Sequence, residues 1–433
     1  MMPGAGTLLR FAGPAVGLSG MAVFAFLYLW RPAWYFAALT AMGFKPWHYP
    51  FLDGEYWMAS VECTGKGIDI YLGNPCDVLN RANPYSPLWG WAAFLPTDKA
   101  WTAPLGTGLD AVFFLSLAVL PPARRLVELP AIVLTTFSYA VCYAAERANA
   151  DILLYLMALG AGLLLLRRDQ ARFFAYPVIV LAGLLKFYPL ALLVLALRER
   201  RRAFLAIAVA TGLATGAALL AVLPQLREMA ANIPRNFLRD AFGGDILPSI
   251  MACAAGEHAD DCASLPDHPG QAALANYFVT WIICLTGAAL LARAVLRLDG
   301  FARELAALGE AETLFLAIGG IVVAGCFFAG RNVDYRQVFF LMTVPGFLAL
   351  TRAAARPVRR LAAATLVLIV FLMWKEAIHV WWDGAGLNPV LLFVLREVAF
   401  WAVIAVLLAV LWRILSMLPT PRAVLGRLAG TRA

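Results

Sequence analysis

The chain has 433 residues, 62% of them hydrophobic and 14% charged, which is too little polar surface to cover a soluble fold of this size. Its net charge of +8 comes from basic residues scattered in short clusters between apolar runs, so the excess reads as a topology signal and not as a nucleic-acid footprint. The stretch 203–223 is continuously apolar, which excludes the alternating segments of about 10 residues that build a membrane barrel.

Apolar runs of about 17 to 25 residues, each long enough to cross a hydrocarbon core of roughly 30 Å, recur from end to end. They predict an all-α polytopic membrane protein, a single integral membrane domain over 1–433. Crossings are expected near 8–30, 103–122, 130–146, 150–166, 203–224, 277–297, 313–330, 338–352, 361–374 and 390–412. The first run follows Arg10 without an A-x-A-like cleavage site and is expected to stay as a helix.

With the N-terminus inside, the cytoplasmic links carry Arg124, Arg125, Arg167, Arg168, Arg172, Arg198, the Arg200 to Arg202 cluster, Arg352, Arg356, Arg359 and Arg360, which is the positive-inside pattern. The opposite side then receives two long extracytoplasmic loops, 31–102 and 225–276, and short links near 147–149, 331–337 and 375–389. Cys63 and Cys76 fall in the first long loop and Cys253 and Cys262 in the second. Two even pairs in exposed loops predict two local disulfides in an oxidising compartment.

The stretch 173–197 breaks the alternation, because arginines flank both of its ends. It is too short for two crossings, and one crossing would strand four arginines outside. A re-entrant helical hairpin is expected, with its tip at Lys186-Phe187-Tyr188-Pro189, where Pro189 disfavours helix at Tyr188. Lysine at membrane depth is costly and faces a polar cavity or an anionic partner. An ordinary helix with Lys186 snorkelling is the plainer alternative.

Most candidate chemistry lies in the first long loop. Asp53 follows Phe51-Leu52 at the membrane edge, where partial desolvation is expected to raise its pKa toward that of a general base. Trp47, Trp57, Trp89, Trp91 and Trp101 read as interfacial anchors. Arg331 and Arg336 bracket a short polar link, where two guanidiniums are able to clamp a phosphate, or else form a solvated turn with an internal Arg–Asp pair through Asp334. In the link after Glu146, Arg147 is a weaker phosphate candidate, and Asn149 is placed to cap the helix that begins at Asp151. Asp110, Arg396 and Glu397 lie inside expected helices, where a charge marks a lined site. Asp260-Asp261 reads as a solvated loop tip.

Four stretches taken together resemble the GT-C superfamily of polyprenyl-phosphate-sugar glycosyltransferases, and most of all glycosyltransferase family 87, which includes mycobacterial phosphatidylinositol mannoside mannosyltransferases. They are Asp53 with Gly67 to Tyr71 and Tyr85-Ser86-Pro87; Asn149 to Asp151; Gly183 to Pro189 before a basic cluster; and Asp334-Tyr335-Arg336. The resemblance spans about residues 50 to 340 and is global in layout but loose in residues. It implies transfer of mannose or another sugar from a polyprenyl-phosphate donor to a lipid or glycan acceptor, with inversion, at the outer face of a bacterial inner membrane.

In that scheme Asp53 is the catalytic base, and Lys186, Arg331, Arg336 and Arg147 meet the donor phosphate. Glu55, Tyr56, Tyr188, Asn149, Asp151, Asp334, Tyr335 and Arg396 line the substrates. No cofactor and no metal are expected, and no nucleic-acid partner. The chain departs from the family where Asp53 is followed by Gly54-Glu55-Tyr56, which leaves Glu55 as a rival base. The expected disulfides are not a family hallmark and leave the acceptor open. The competing readings are a transporter or flippase of lipid-linked glycans, which calls for an internal repeat that the chain lacks, and an O-antigen polymerase or ligase, which relies on arginines and a histidine.

Overall fold

The computed structural model describes residues 9–45, 47, 49–94, 98–233, 241–253 and 271–419. Helix dominates them, as a chain immersed in lipid requires, because each backbone N–H must find its partner within the same segment. The two strands among the described residues, Ala241–Phe242 and Asn332–Val333, are two residues long and pair antiparallel, with Ala241 opposite Val333.

Among the described residues six helices are long and apolar enough to cross a membrane: Ala12–Trp30, Lys99–Val119, Arg201–Ala221, Gln271–Leu296, Glu310–Ala329 and Pro389–Ser416. Two bent helix pairs are apolar enough to cross together, Leu126–Thr136 with Tyr139–Glu146 at 45° and Arg356–Met373 with Lys375–Gly384 at 68°, each a broken span or a re-entrant loop. The remaining expected runs, 150–166 and 338–352, form shorter helices, Ala150–Leu165 and Phe340–Leu350. The loops 31–102 and 225–276 contain helices of their own, Pro32–Ala41, Leu52–Gly65, Leu223–Asn232 and Ile246–Cys253. These are too short or too polar to register as membrane runs. The chain divides into two compact units, one of 1–46, 114–143 and 235–413, the other of 47–113, 144–234 and 414–433.

In the first unit, Glu310–Ala329 packs closely on Phe340–Leu350. A Cβ at Gly319 would lie 2.7 Å from the Phe339 carbonyl oxygen, and one at Gly346 would lie 2.8 Å from Leu316 Cβ. Small residues let the two backbones approach, as in helix pairs packed within lipid. At one end of these helices Arg352 pairs with Glu128 at 2.6 Å and Arg124 with Glu312 at 3.1 Å. Glu312 also accepts the Gly309 N–H at 2.9 Å and so closes the start of its helix.

In the second unit, the 173–197 stretch folds back on itself. Ala175–Leu185 ends where Lys186 turns extended (φ −146°, ψ 125°), and Tyr188–Arg198 returns as a 3-10 helix. The break therefore comes two residues before Tyr188, and Pro189 sits at the start of the second arm, where its missing N–H costs nothing. Gly183 admits that arm, since a Cβ there would lie 2.4 Å from the Leu190 side chain. At the open ends Glu199 joins Arg172 at 3.1 Å and the Tyr176 hydroxyl at 3.2 Å. The Arg201–Ala221 helix exposes Val209, Leu213 and Leu220, an apolar surface of the kind that meets lipid. Cys63 and Cys76 form a disulfide. Cys262, and with it the expected Cys253–Cys262 pair, lies outside the described residues, as do Asp260 and Asp261.

Candidate functional site

The second unit gathers a buried charged network at the start of the Leu52–Gly65 helix. Phe51, the residue before that helix, holds a left-handed backbone (φ 62°), strained for an aromatic residue. Its N–H donates to the Glu146 carbonyl at 2.7 Å, and its ring fills the space where a Cβ on Gly106 would stand. The next turn leans on the same link: the Asp53 and Gly54 N–H groups both donate to the Arg147 carbonyl at 3.0 Å. The backbone of Arg147 thus satisfies donors that a helix start leaves open. Gly54 permits the approach, with Ala148 Cβ 3.1 Å from where its own Cβ would be, and Ala148 itself has a positive φ of 45°.

The Arg147 side chain then closes on Asp53 as a two-pronged clamp, Nε to Oδ2 and Nη2 to Oδ1, both at 2.9 Å. Asn149 donates from Nδ2 to Asp53 Oδ2 at 2.6 Å, while its Oδ1 accepts the Asp151 N–H at 2.9 Å. It caps the Ala150–Leu165 helix and also holds the carboxylate, so capping is only half of its work. Arg81 stands 3.6 Å from Asp53. Burial pushes the Asp53 pKa up, but the Arg147 charge and hydrogen bond, the Asn149 amide and Arg81 outweigh it and hold the group below its ordinary value of 3.8. The expected rise is corrected here. Desolvation was foreseen from Phe51-Leu52; the two-pronged guanidinium was not.

Glu55, one turn on, behaves in the opposite sense. Burial, then a hydrogen bond and charge repulsion from Asp77, raise its pKa above 4.5, and Lys99, 3.3 Å away, offsets only part of this. Asp77 is held low by Arg81, which grips it at 2.7 and 2.9 Å. The Tyr56 hydroxyl donates to Asn83 at 2.8 Å, and its ring lies 4.8 Å from the Arg81 guanidinium.

On the other side of Asn149, Asp151 accepts hydrogen bonds from Lys186 Nζ at 2.7 Å and from the Tyr188 hydroxyl at 2.8 Å. Lys186 is also 5.2 Å from the Tyr85 ring. The tip of the folded-back segment is therefore tied to the first turn of Ala150–Leu165. Trp89 is partly buried; it stacks on Trp57 at 4.8 Å and donates to the Leu185 carbonyl at 3.2 Å. Trp47 and Trp101 are half exposed, as anchors would be. An apolar groove of about 430 Å³ runs between the second arm and the Arg201–Ala221 helix, lined by Leu190, Leu193, Phe204, Ile207, Thr211 and Leu219.

The other candidates fall in the first unit. Arg331 and Arg336 both reach protein partners there. Arg331 donates to Asp245 at 2.9 Å and to Ser249 at 2.7 Å, and Arg336 donates to Asn332. Asp334 is fully buried and pairs with Lys375 at 2.6 Å and Gln337 at 2.8 Å. Tyr335 stacks near Tyr143 at 5.9 Å, and Arg396 pairs with the neighbouring Glu397 at 2.8 Å. Asp110 is buried in the second unit with one carboxyl oxygen lacking a hydrogen bond.

Sequence reasoning missed Asp77 and Arg81, whose spacing of four was the available signal, and Lys99, Asp245, Lys375 and Glu376. The Lys375-Glu376 pair directly after an apolar run was itself a cue. Among the described residues no group of three or more His, Cys, Asp and Glu side chains is placed to hold a metal ion. No family model, curated protein or solved structure matches the chain.

Proposed function

We propose that the protein is a membrane glycosyltransferase that takes a sugar from a polyprenyl-phosphate donor and passes it to an acceptor hydroxyl at the extracytoplasmic face. The observation that carries this reading is the convergence of Asp53, Arg147, Asn149, Asp151, Lys186 and Tyr188 into one buried network, although the chain scatters them over more than a hundred residues. In this proposal the chain crosses the membrane ten times, each bent pair counting once and Ala150–Leu165 and the segment ending in Phe340–Leu350 included. The 173–197 segment enters from the cytoplasmic side and carries Lys186 at its tip.

The chemistry follows from the charges. The acceptor oxygen attacks the anomeric carbon as the bond to the phosphate oxygen breaks, which inverts the centre. The polyprenyl phosphate departs with the bonding electrons, and Lys186, with the Tyr188 hydroxyl that shares Asp151 with it, and Arg147 stabilise the growing negative charge. The acceptor proton goes to Asp53. Its low basicity is tolerable, because an attacking hydroxyl becomes a strongly acidic oxonium and its proton is transferred late. The apolar groove between the second arm and the Arg201–Ala221 helix takes the first isoprene units of the donor.

Purified protein in lipid nanodiscs, supplied with a panel of polyprenyl-phosphate sugars and membrane lipid extract, is expected to release polyprenyl phosphate and form one glycosylated product. Asp53→Asn is expected to stop both. Movement of the intact donor across a vesicle bilayer with no bond cleaved would replace this reading with transport.

A further inference from the structure

The polar groups of the loop closed by Cys63 and Cys76 are largely engaged by protein. Asn74 is fully buried and donates to the Ser60 hydroxyl, and Asp77 is buried in the grip of Arg81. The Asp69 carboxylate bends back to accept the Tyr71 N–H at 2.9 Å, and Lys66 pairs with Glu62 one turn earlier. The apolar side chains are left outside. Leu72 is 82% exposed, with Ile68 and Leu79 at 37% and Val78 at 40%. A Cβ on Gly73 would lie 3.6 Å from Asn80 Oδ1, which sets the residues after Leu72 and Leu79 side by side. A loop in water is arranged the other way round, and an apolar patch left open marks a surface that something apolar covers.

Depth says what covers it. The Leu52–Gly65 helix that leads into the loop starts against the first half of the Lys99–Val119 span, where the Phe51 ring packs on Gly106. Its far end packs against Leu226 through the cluster of Cys63, Ile70, Tyr71 and Cys76. Leu226 belongs to the first turn after the Arg201–Ala221 span, since its N–H donates to the Val222 carbonyl at 3.0 Å. Asn232 fixes the carbonyl of Tyr71, the residue before Leu72, at 2.8 Å. Both ends of this helix of 14 residues thus meet the ends of membrane spans. Its length of about 21 Å is shorter than a bilayer core of about 30 Å, so the two ends meet the same face. The helix runs along that face and brings the loop to headgroup depth.

We propose that this loop is seated in the bilayer, with Leu72 and Leu79, and Ile68 and Val78 beside them, inserted among the headgroups and first acyl carbons of the leaflet at the Ala221 end of the Arg201–Ala221 span. Side chains of this kind anchor a segment in the interface plane. The contact is with the membrane's own lipids and does not depend on the transfer reading. It has a local consequence. The same loop leads into Arg81, which donates to the Leu52 carbonyl at 3.1 Å and stands 3.6 Å from Asp53, so lipid that holds the loop also holds Arg81 at the site.

The full chain, with a fluorescent amino acid encoded in place of Leu72, is placed in nanodiscs of phosphatidylcholine. The probe is quenched either from the lipid, by acyl chains brominated near the headgroup, or from water, by iodide. Brominated lipid is expected to quench several-fold more strongly than iodide. Adding Leu79→Asp is expected to reverse that order while the Cys63–Cys76 bond, read from the mass of the linked peptides, stays intact. Strong quenching by iodide with little from brominated lipid in the otherwise unaltered chain would put the loop in water and overturn the proposal, whatever the variant does. Protection from both quenchers would mean that protein covers the patch, a second copy or another chain, and would overturn the lipid assignment. An unchanged order in the Leu79→Asp protein would overturn the shared patch.

Discussion

Asn149 offers the sharpest single test of the network, because a helix cap and a holder of Asp53 make opposite demands on the residue. Asn149→Asp preserves the cap, since aspartate accepts the Asp151 N–H as well as asparagine does. It also replaces the amide that donates to Asp53 at 2.6 Å with a second carboxylate. Two like charges at such a distance repel by on the order of 6 kcal/mol at an effective dielectric near 20. Proton uptake by the pair limits the cost to a similar size. Asn149→Ala loses the cap, about 1 kcal/mol, and a hydrogen bond to a charged group, about 1.5–3 kcal/mol, with the two not strictly additive.

The pH dependence follows with its sign. Asp53 is held below 3.8 in the folded protein, so its contribution to stability is complete above that value and is lost as pH falls through the lowered one. Asn149→Ala moves the folded value back up, and acid unfolding should begin at higher pH than in wild type. Thermal unfolding in nanodiscs between pH 3 and 8 reads all three proteins. If Asn149→Asp unfolds and transfers like wild type, Asn149 is a cap only and the network carries no functional argument.

Two other perturbations separate packing from chemistry. Lys186→Ala leaves the Asp151 carboxylate buried without its ammonium, at about 3–5 kcal/mol. Adding Asp151→Asn should restore the unfolding temperature in large part while sugar transfer stays absent; recovery of transfer would remove Lys186 from the phosphate site. Gly319→Ala places a Cβ 2.7 Å from the Phe339 carbonyl and should destabilise by about 1–3 kcal/mol. Gly160→Ala, with nothing within 4 Å of the new Cβ, should be neutral or stabilising by up to about 1 kcal/mol; thermal unfolding of equal effect in both would refute the packing account.

Membrane helices and membrane-depth charges were legible in the sequence for the same reason: a polar group in an apolar run is expensive and so conspicuous. Lys186 and Asp151 stand out this way, and both proved to be buried partners. What the sequence did not carry was the identity of the partners. Arg331 and Asp334 look like a local pair at a spacing of three, yet Arg331 turns to Asp245 and Asp334 to Lys375. Those pairings are set by how helices meet, which residue spacing does not encode. Arg81 escaped notice because a charge in a loop is ordinarily solvated, and nothing in the sequence places it between Asp77 and Asp53. The folding-back of 173–197 was readable from the arginines at both ends, but its break fell at Lys186 because Pro189 starts a helical arm more readily than it forms a turn.

The central claim is that sugar leaves a lipid phosphate as Asp53 takes the acceptor proton, and the pH dependence of kcat/KM for that transfer tests it most directly. With Asp53 as the base, the rate should stay level as pH falls through 4.5 and decline only below 3.8, the ordinary aspartate value. Asp53→Asn should show no transfer at any pH. A decline centred above 4.5 that disappears in Glu55→Gln would contradict the account and make Glu55 the base.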